Sequence, residues 1–181
     1  MKPAHAASFT TLAVAATVGH TAWATQYLSV EQAQRALFPE ATAFQPDDWQ
    51  LTPDQMRAVE RLAHLPARSV HWRVFAAQRG DQRLGYVILD DVVGKFELIS
   101  YAVAVLPDAR IKQVEILAYR ESHGFEIRSA AWRRQFVGKT AGSGIEIGNG
   151  IANISGATLS CTHVTDGVRR IAAVAQVMLK K

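Results

Sequence analysis

The sequence has a single cysteine, Cys161, among its 181 residues, so no internal disulfide can form. It also lacks a strong excess of one charge, because 20 basic residues are balanced by 16 acidic ones to give a formal net charge of +4. A nucleic-acid-binding domain needs a clustered basic face, so we expect no nucleic-acid partner. With 49% apolar residues, the chain can bury one hydrophobic core without the help of disulfide bonds. The same composition excludes a collagen-like chain and low-complexity disorder.

Several motifs of catalysis and cofactor binding are also absent from the sequence. There is no P-loop of the kind that binds nucleoside triphosphates. There is also no Gly-x-Gly-x-x-Gly fingerprint, so a nicotinamide site is unsupported. There is no Cys-x-x-Cys-His for c-type haem and no Gly-x-Ser-x-Gly nucleophile elbow. His123 lies between Glu121 and Glu126, but no second histidine stands at metal-ligand spacing. We therefore expect no metal site and no catalytic residue.

The first 24 residues resemble a signal peptide. Lys2 is the only formal charge before Glu31, an apolar stretch runs from Phe9 to Val18, and Ala22-Trp23-Ala24 has the small-x-small pattern of a cleavage site. A retained transmembrane anchor is the rival interpretation, but a span needs ~20 mostly apolar residues and this stretch is rich in hydroxyl groups. We expect cleavage after Ala24 and export to the periplasm, where the mature protein can associate with the membrane.

The order of helix and strand signals predicts one α+β domain over residues 25–181. Capping boxes at Ser29 and Thr52 predict two opening helices, which Pro39 and Pro66 end. Four strands are predicted at 70–76, 84–89, 96–105 and 111–119, and the short turns between them make the sheet antiparallel.

Two more helices are predicted after the strands. A short one runs from about Ser129 to Val137 and should bury Trp132 and Phe136. The last helix carries a continuous apolar stripe that is expected to pack on the sheet. The members of that stripe are Val164, Val168, Ile171, Ala175 and Met178.

A glycine-rich segment joins these two helices. Five of the chain's twelve glycines fall within residues 142–156, and the segment ends in Ser155-Gly156-Ala157-Thr158-Leu159-Ser160. We expect the last helix to begin near Cys161 or Thr162. Small residues and free N–H groups at a helix N-terminus suit an anionic phosphate. A flexible turn that ends in a Ser or Thr helix cap explains the same residues, and spacing alone leaves both interpretations open.

The tetrapeptide Ser155-Gly156-Ala157-Thr158 resembles the flavinylation motif of the FMN-binding domain family. That family includes the small flavin-bearing subunits of sodium-pumping NADH:quinone reductase and of its ferredoxin-linked relative. In it, an FAD:protein FMN transferase joins FMN to the terminal threonine of the motif by a phosphoester bond. The resemblance implies covalent FMN on Thr158, with Ser155, Gly156, Ala157, Leu159 and Ser160 around it.

Two other stretches resemble the same family, and the likeness is strongest over residues 85–178. Residues 119–127 are similar to its Glu-x-x-Gly-aliphatic-Gly element, which implies that Glu121, Gly124 and Phe125 flank the flavin ring. Glu126 departs from that element because the family often has a second glycine there. Residues 134–139 are similar to the Gln-Phe-x-Gly-Lys element, and we expect Lys139 to neutralise the phosphate or the reduced flavin.

These features imply an exported flavoprotein that relays electrons between membrane-bound donor and acceptor proteins, rather than an enzyme with its own substrate. Two alternatives from other classes stay open. One is a periplasmic sensory or accessory module that binds flavin without relaying electrons. The other is a hydrolase that uses Ser160 or Thr158, although the sequence shows no base paired with either hydroxyl.

Overall fold

The computed structural model of the protein describes residues 25–121 and 123–180. The predicted signal peptide, residues 1–24, lies outside the described residues, as do Ser122 and Lys181. Within the described ranges, no helix is both long and apolar enough to cross a membrane.

The described chain contains four α-helices and two sheets. The α-helices are α1 (Val30–Leu37), α2 (Pro53–Ala63), α3 (Ala130–Arg133) and α4 (Thr158–Leu179), and 3₁₀ turns at Phe125–Arg128 and Arg134–Phe136 flank α3. The strands are β1 (Thr25–Gln26), β2 (Ala43–Pro46), β3 (Trp49–Gln50), β4 (His71–Arg79), β5 (Gln82–Val93), β6 (Leu98–Val105), β7 (Ile111–Tyr119), β8 (Glu146–Ile147) and β9 (Gly150–Ile151).

The main sheet is antiparallel throughout. Its strand order is β1-β7-β6-β5-β4-β2, and β3 also pairs with β4. The four strands predicted from the sequence are β4 to β7, and they are neighbours in chain order because each turn between them is short. The pair β8–β9 is parallel and lies in the glycine-rich segment. The predicted α+β fold with an antiparallel sheet is therefore confirmed.

Both opening helices begin where their capping boxes predicted. The Ser29 hydroxyl accepts the N–H of Gln32 at 3.2 Å, and the Gln32 side chain accepts the N–H of Ser29 at 2.7 Å. Thr52 and Gln55 make the same reciprocal pair, with Pro53 in the first turn of α2. These side chains satisfy N–H groups that a helix start otherwise leaves free.

Helices cover both faces of the sheet. α2 and α4 pack on each other, and α4 lies on β5 and β6, while α1 lies on β7. The larger core is formed on the α4 side, and the predicted stripe of α4 faces it, with Met178 at its partly buried end. The smaller core lies under α1 and includes Leu37, Phe38, Val87 and Leu117.

The middle of α4 contacts the sheet with no room for a side chain at Gly167. A Cβ at that residue would lie 1.9 Å from the Tyr101 hydroxyl oxygen of β6. Tyr101 is fully buried, and its hydroxyl donates to Asp90 Oδ2 at 2.5 Å. Glycine inside a helix costs ~1 kcal/mol relative to alanine, and the close approach of Tyr101 explains why it stands here.

The predicted short helix at 129–137 is broken into shorter turns. α3 has four residues, and the 3₁₀ turn Arg134–Phe136 continues it. The predicted burial of Trp132 and Phe136 is confirmed, and their ring centroids lie 5.2 Å apart in an edge-to-face contact.

Candidate functional site

Helix α4 begins at Thr158, so the predicted start near Cys161 or Thr162 is wrong by about one turn. Ala157 is the N-cap residue, and no side chain caps the helix. The first intrahelical bond joins the Cys161 N–H to the Ala157 carbonyl oxygen at 2.9 Å. The N–H groups of residues 158–160 therefore lie before the first helical hydrogen bond. A Ser or Thr cap does not explain this sequence, and Thr158 lies where the helix dipole favours negative charge.

A tight turn leads into the helix. The Ala157 N–H donates to the Ile154 carbonyl oxygen at 3.0 Å, which places Ser155 and Gly156 at the centre of the turn. Gly156 has a φ of +83°, a conformation that glycine adopts without strain. Ser155 and Gly156 are both exposed. The turn therefore presents its small residues to solvent immediately before Thr158.

The first turn of α4 carries one accessible hydroxyl and one buried hydroxyl. The Thr158 side chain is exposed, and its oxygen accepts a hydrogen bond from Asn153 Nδ2 at 3.0 Å. Ser160 is only 4% exposed, and its Oγ lies 3.1 Å from the Tyr119 hydroxyl oxygen. Of these two hydroxyls, only that of Thr158 is open to a reagent from solvent.

A surface cavity of about 560 Å³ opens beside Thr158. Its volume is within the range of roughly 300–1,000 Å³ that is usual for small-molecule sites. Six of the residues named from the sequence line it: Glu121, Gly156, Ala157, Thr158, Leu159 and Ser160. Lys95, Phe96 and His123 also line it, and our prediction did not include them among the site residues.

Gly124 lies beneath Ala157, the residue that precedes Thr158. It is buried with a φ of +85°, and a Cβ there would lie 2.7 Å from the Cβ of Ala157. The absence of a side chain at Gly124 lets Ala157 approach the end of β7 closely. Phe125 follows it in a 3₁₀ turn, but its side chain lies outside the described part of the structure.

Lys139 does not line the cavity. Its Nζ donates to the Ser143 carbonyl oxygen at 3.2 Å, within the glycine-rich segment. The lysine at the cavity is Lys95, which lies in the turn between β5 and β6. Sequence reasoning missed Lys95 because the chain places it 63 residues before Thr158, and only the pairing of β5 with β6 brings the turn to α4.

Glu121 binds that turn, which we name the β5–β6 turn (Gly94–Glu97). Its Oε1 accepts the backbone N–H of Phe96 at 2.6 Å and that of Glu97 at 3.0 Å. Desolvation raises the pKa of Glu121, but the hydrogen bonds from the N–H groups of the turn outweigh it, and the net pKa is lower than usual. The carboxylate therefore stays charged and engaged with the backbone.

The β5–β6 turn is also held from helix α4. His163 Nδ1 lies 2.6 Å from the carbonyl oxygen of Val93 and 3.1 Å from that of Gly94. With two carbonyl oxygens as its neighbours, Nδ1 must carry the hydrogen and donate. The turn is thus attached to both α4 and the end of β7.

Gln135, from the stretch at 134–139, and the nearby Trp132 both bond the chain just before Thr158. The Gln135 side-chain oxygen accepts the Ala152 N–H at 2.7 Å, and Trp132 Nε1 donates to the Ala152 carbonyl oxygen at 2.8 Å. The next residue is Asn153, which bonds the Thr158 hydroxyl. The contribution of this stretch is therefore to fix the backbone that precedes the accessible threonine.

Cys161, the fourth residue of α4, is buried in the larger core. Burial raises the pKa of its thiol, which keeps it protonated and unreactive at neutral pH. Across residues 25–121 and 123–180, no group of three or more His, Cys, Asp or Glu side chains is arranged to hold a metal ion.

The part of the chain that includes this site is similar to a known family. Residues 94–173 match the FMN-binding domain. One component of the proton-translocating ferredoxin:NAD(+) oxidoreductase complex of Clostridium ljungdahlii is 30% identical over 110 residues, which cover 57% of this chain and 58% of that protein. The chain thus spans less than two thirds of that relative.

A solved structure also resembles the chain. The crystal structure of Shewanella oneidensis NqrC aligns with 80% of this chain and 87% of its own, with a TM-score of 0.49 and 16% identity. The family match covers the β5–β6 turn, Glu121, Gly124 and the first turn of α4. Residues 94–173 are therefore similar to the FMN-binding domain, the family that the sequence motifs also resemble.

Proposed function

We propose that this protein is an exported flavoprotein that carries FMN on Thr158 through a phosphoester bond and relays electrons between membrane-bound proteins. One observation carries the proposal. Within the family segment, the Thr158 hydroxyl is exposed at the start of a 22-residue helix and borders a cavity of about 560 Å³. The family match supports FMN as the cofactor, and the accessible hydroxyl supports covalent attachment.

The residues around the cavity fit an attached FMN. The N–H groups of residues 158–160 and the helix dipole favour the single negative charge of a phosphodiester, by ~0.3–1 kcal/mol at an exposed helix end. Lys95 adds a positive charge at the cavity, and Phe96 and Leu159 offer it apolar surface. The cavity therefore combines groups for a phosphate with surface for an aromatic ring system.

Attachment needs an outside enzyme and a free acceptor oxygen. An FAD:protein FMN transferase would form the bond between Thr158 Oγ1 and the FMN phosphorus of FAD, while the bond from that phosphorus to AMP breaks. AMP leaves, and the hydroxyl proton is released. Exposed Ser155 and Gly156 leave room for the transferase, and Asn153 orients the acceptor through its hydrogen bond to Oγ1.

Electron relay is supported by the cofactor and by the relative. Bound FMN supplies one- and two-electron chemistry, while the protein positions it and sets its potential. The relative from Clostridium ljungdahlii is a subunit of a ferredoxin:NAD(+) oxidoreductase complex, although the match covers 58% of it. We infer that the redox partners of this chain are also proteins of a membrane-associated complex.

The attachment is tested by co-expression with the flavin transferase and intact-mass measurement. We expect the wild type and Thr158→Ser to gain the mass of FMN less one water, and Thr158→Val to gain nothing. Ser143→Ala is the matched control, because it removes an exposed hydroxyl of the glycine-rich segment that lies outside the motif and does not line the cavity, and it should still gain the adduct. An adduct that persists in Thr158→Val would contradict the proposal.

Export and relay have separate tests. The intact mass of protein purified from the periplasm should correspond to a chain that starts at Thr25. Addition of a reduced, partner-containing membrane fraction should bleach the flavin absorbance, and an oxidant should restore it. A flavin that such membranes leave oxidised would show a binding module that does not relay electrons.

A further inference from the structure

Phe96 is an aromatic residue whose side chain is largely exposed at the edge of the cavity. It is 75% exposed, lies in the β5–β6 turn and lines the cavity beside Thr158. Leu159, which is 46% exposed, lines the same cavity from the first turn of α4. Single exposed apolar residues are common, but these two border one cavity, and that arrangement suits a ligand with an aromatic surface.

The turn that carries Phe96 is held in place from two sides. Glu121 accepts the N–H groups of Phe96 and Glu97, and His163 donates to the carbonyl oxygens of Val93 and Gly94. Gly94 is needed for this contact, because a Cβ there would lie 2.6 Å from Glu121 Oε1. The position of Phe96 relative to Thr158 is therefore set by hydrogen bonds to β7 and α4.

We propose that Phe96 packs against the isoalloxazine ring of the FMN on Thr158, and that Glu121 positions it there through the β5–β6 turn. This inference rests on the proposed function. It gives Glu121 an indirect role, since its carboxylate is engaged by the backbone N–H groups of residues 96 and 97. A planar flavin over the cavity would cover the exposed side chains of Phe96 and Leu159.

The test places an indole at residue 96 in flavinylated protein. An excited isoalloxazine loses its emission to an indole in van der Waals contact, so Phe96→Trp should reduce flavin fluorescence several-fold. Leu98→Trp is the matched control, because Leu98 is 43% exposed on the neighbouring strand and does not line the cavity. Equal emission from loaded Phe96→Trp and loaded Leu98→Trp would overturn the inference.

A second measurement does not depend on tryptophan. Phe96→Ala should make the attached flavin more accessible to iodide, which quenches on collision, and the quenching constant should rise above that of the wild type. An unchanged quenching constant would contradict packing of Phe96 on the ring. Intact mass of each sample separates the two proposals: an adduct with unchanged optical properties overturns only this inference, while no adduct in the wild type overturns both.

The role of Glu121 is tested in the Phe96→Trp background. Glu121→Ala removes the acceptor of both N–H groups, so the turn should move and much of the emission should return. Glu121→Gln keeps an oxygen that can accept both hydrogen bonds, and quenching should be retained. Persistent quenching in the alanine variant would contradict positioning by Glu121.

Discussion

The middle and the first turn of helix α4 differ sharply in how they contact the rest of the molecule. In the middle, Gly167 touches the Tyr101 hydroxyl so closely that no side chain fits. In the first turn, Thr158 and Leu159 face a cavity and remain exposed. The buried part of the helix fixes its position on the sheet. Thr158 can therefore present a hydroxyl at a defined place although its own side chain takes no part in the core.

This contrast predicts opposite responses to substitution. A change in the middle of α4 should cost stability, whereas a change at Thr158 should abolish the modification and leave the fold intact. Gly124 should respond in both ways, because it is buried and also contacts Ala157, the residue before Thr158.

The largest loss of stability is expected for Gly167→Ala. The new Cβ would overlap the Tyr101 hydroxyl, and overpacking of this kind typically costs about 1–3 kcal/mol of unfolding free energy. Urea denaturation measures the change. Adding Tyr101→Phe removes the hydroxyl oxygen and should restore part of the loss, as a double-mutant cycle would show. A Gly167→Ala variant as stable as the wild type would disprove the close contact.

Gly124→Ala should also lower stability, and it should have an additional effect on flavin loading. A non-glycine residue at a φ of +85° is strained by about 1–3 kcal/mol, and its Cβ would push Ala157 away. We expect a lower unfolding midpoint and a slower rise of the FMN adduct in co-expression. Gly142→Ala is the control, because a Cβ there meets nothing within 4 Å, and it should change neither quantity.

Asp90 accepts the hydroxyl of Tyr101, the side chain that contacts Gly167 of α4, and it should make the free energy of unfolding depend on pH. Desolvation raises the pKa of Asp90, although the hydrogen bond from Tyr101 opposes the shift. The folded protein therefore holds this proton to a higher pH than the unfolded chain, whose aspartate pKa is ~3.9. Stability from this group should fall as pH rises from that value through the folded pKa. Asp90→Asn should remove this decline when the free energy of unfolding is measured by urea denaturation at several pH values. A variant whose unfolding free energy changes with pH as that of the wild type does would contradict the raised pKa of Asp90.

The smallest change in stability is expected for Thr158→Val. The side chain is exposed and outside the core, so the unfolding free energy of the unloaded protein should stay within about 0.5 kcal/mol of the wild type. The same variant should accept no flavin. A large loss of stability would mean that Thr158 serves the fold, and the contrast between the two regions would then fail.

The sequence predicted most of the regular structure. The capping boxes at Ser29 and Thr52 located two helix starts, and alternation of apolar residues located the four long strands. Strands β1, β2, β3, β8 and β9 have two to four residues, which is too short for periodicity to reveal. The start of α4 was placed too late, because no side chain caps it and the sequence therefore offers no cap signal.

Of the residues that line the cavity, the sequence named Glu121 and residues 156–160, but not Lys95, Phe96 or His123. The motif at 155–158 pointed to Thr158, and the structure shows this residue to be exposed beside the cavity. Lys95 and Phe96 come to the cavity through the pairing of β5 with β6 and through hydrogen bonds from Glu121 and His163. Such long-range contacts leave no pattern in a single sequence.

The most direct test of the account is to locate the flavin on the chain by mass spectrometry. Trypsin should release residues 140–169 as one peptide, which holds Thr158. The other hydroxyl-bearing residues of that peptide are Thr140, Ser143, Ser155, Ser160, Thr162 and Thr165. Fragmentation of the peptide should place the mass of FMN less one water on Thr158 alone. The same mass on Ser155 or on any other residue, or an unmodified peptide from protein made with an active transferase, would contradict the central claim.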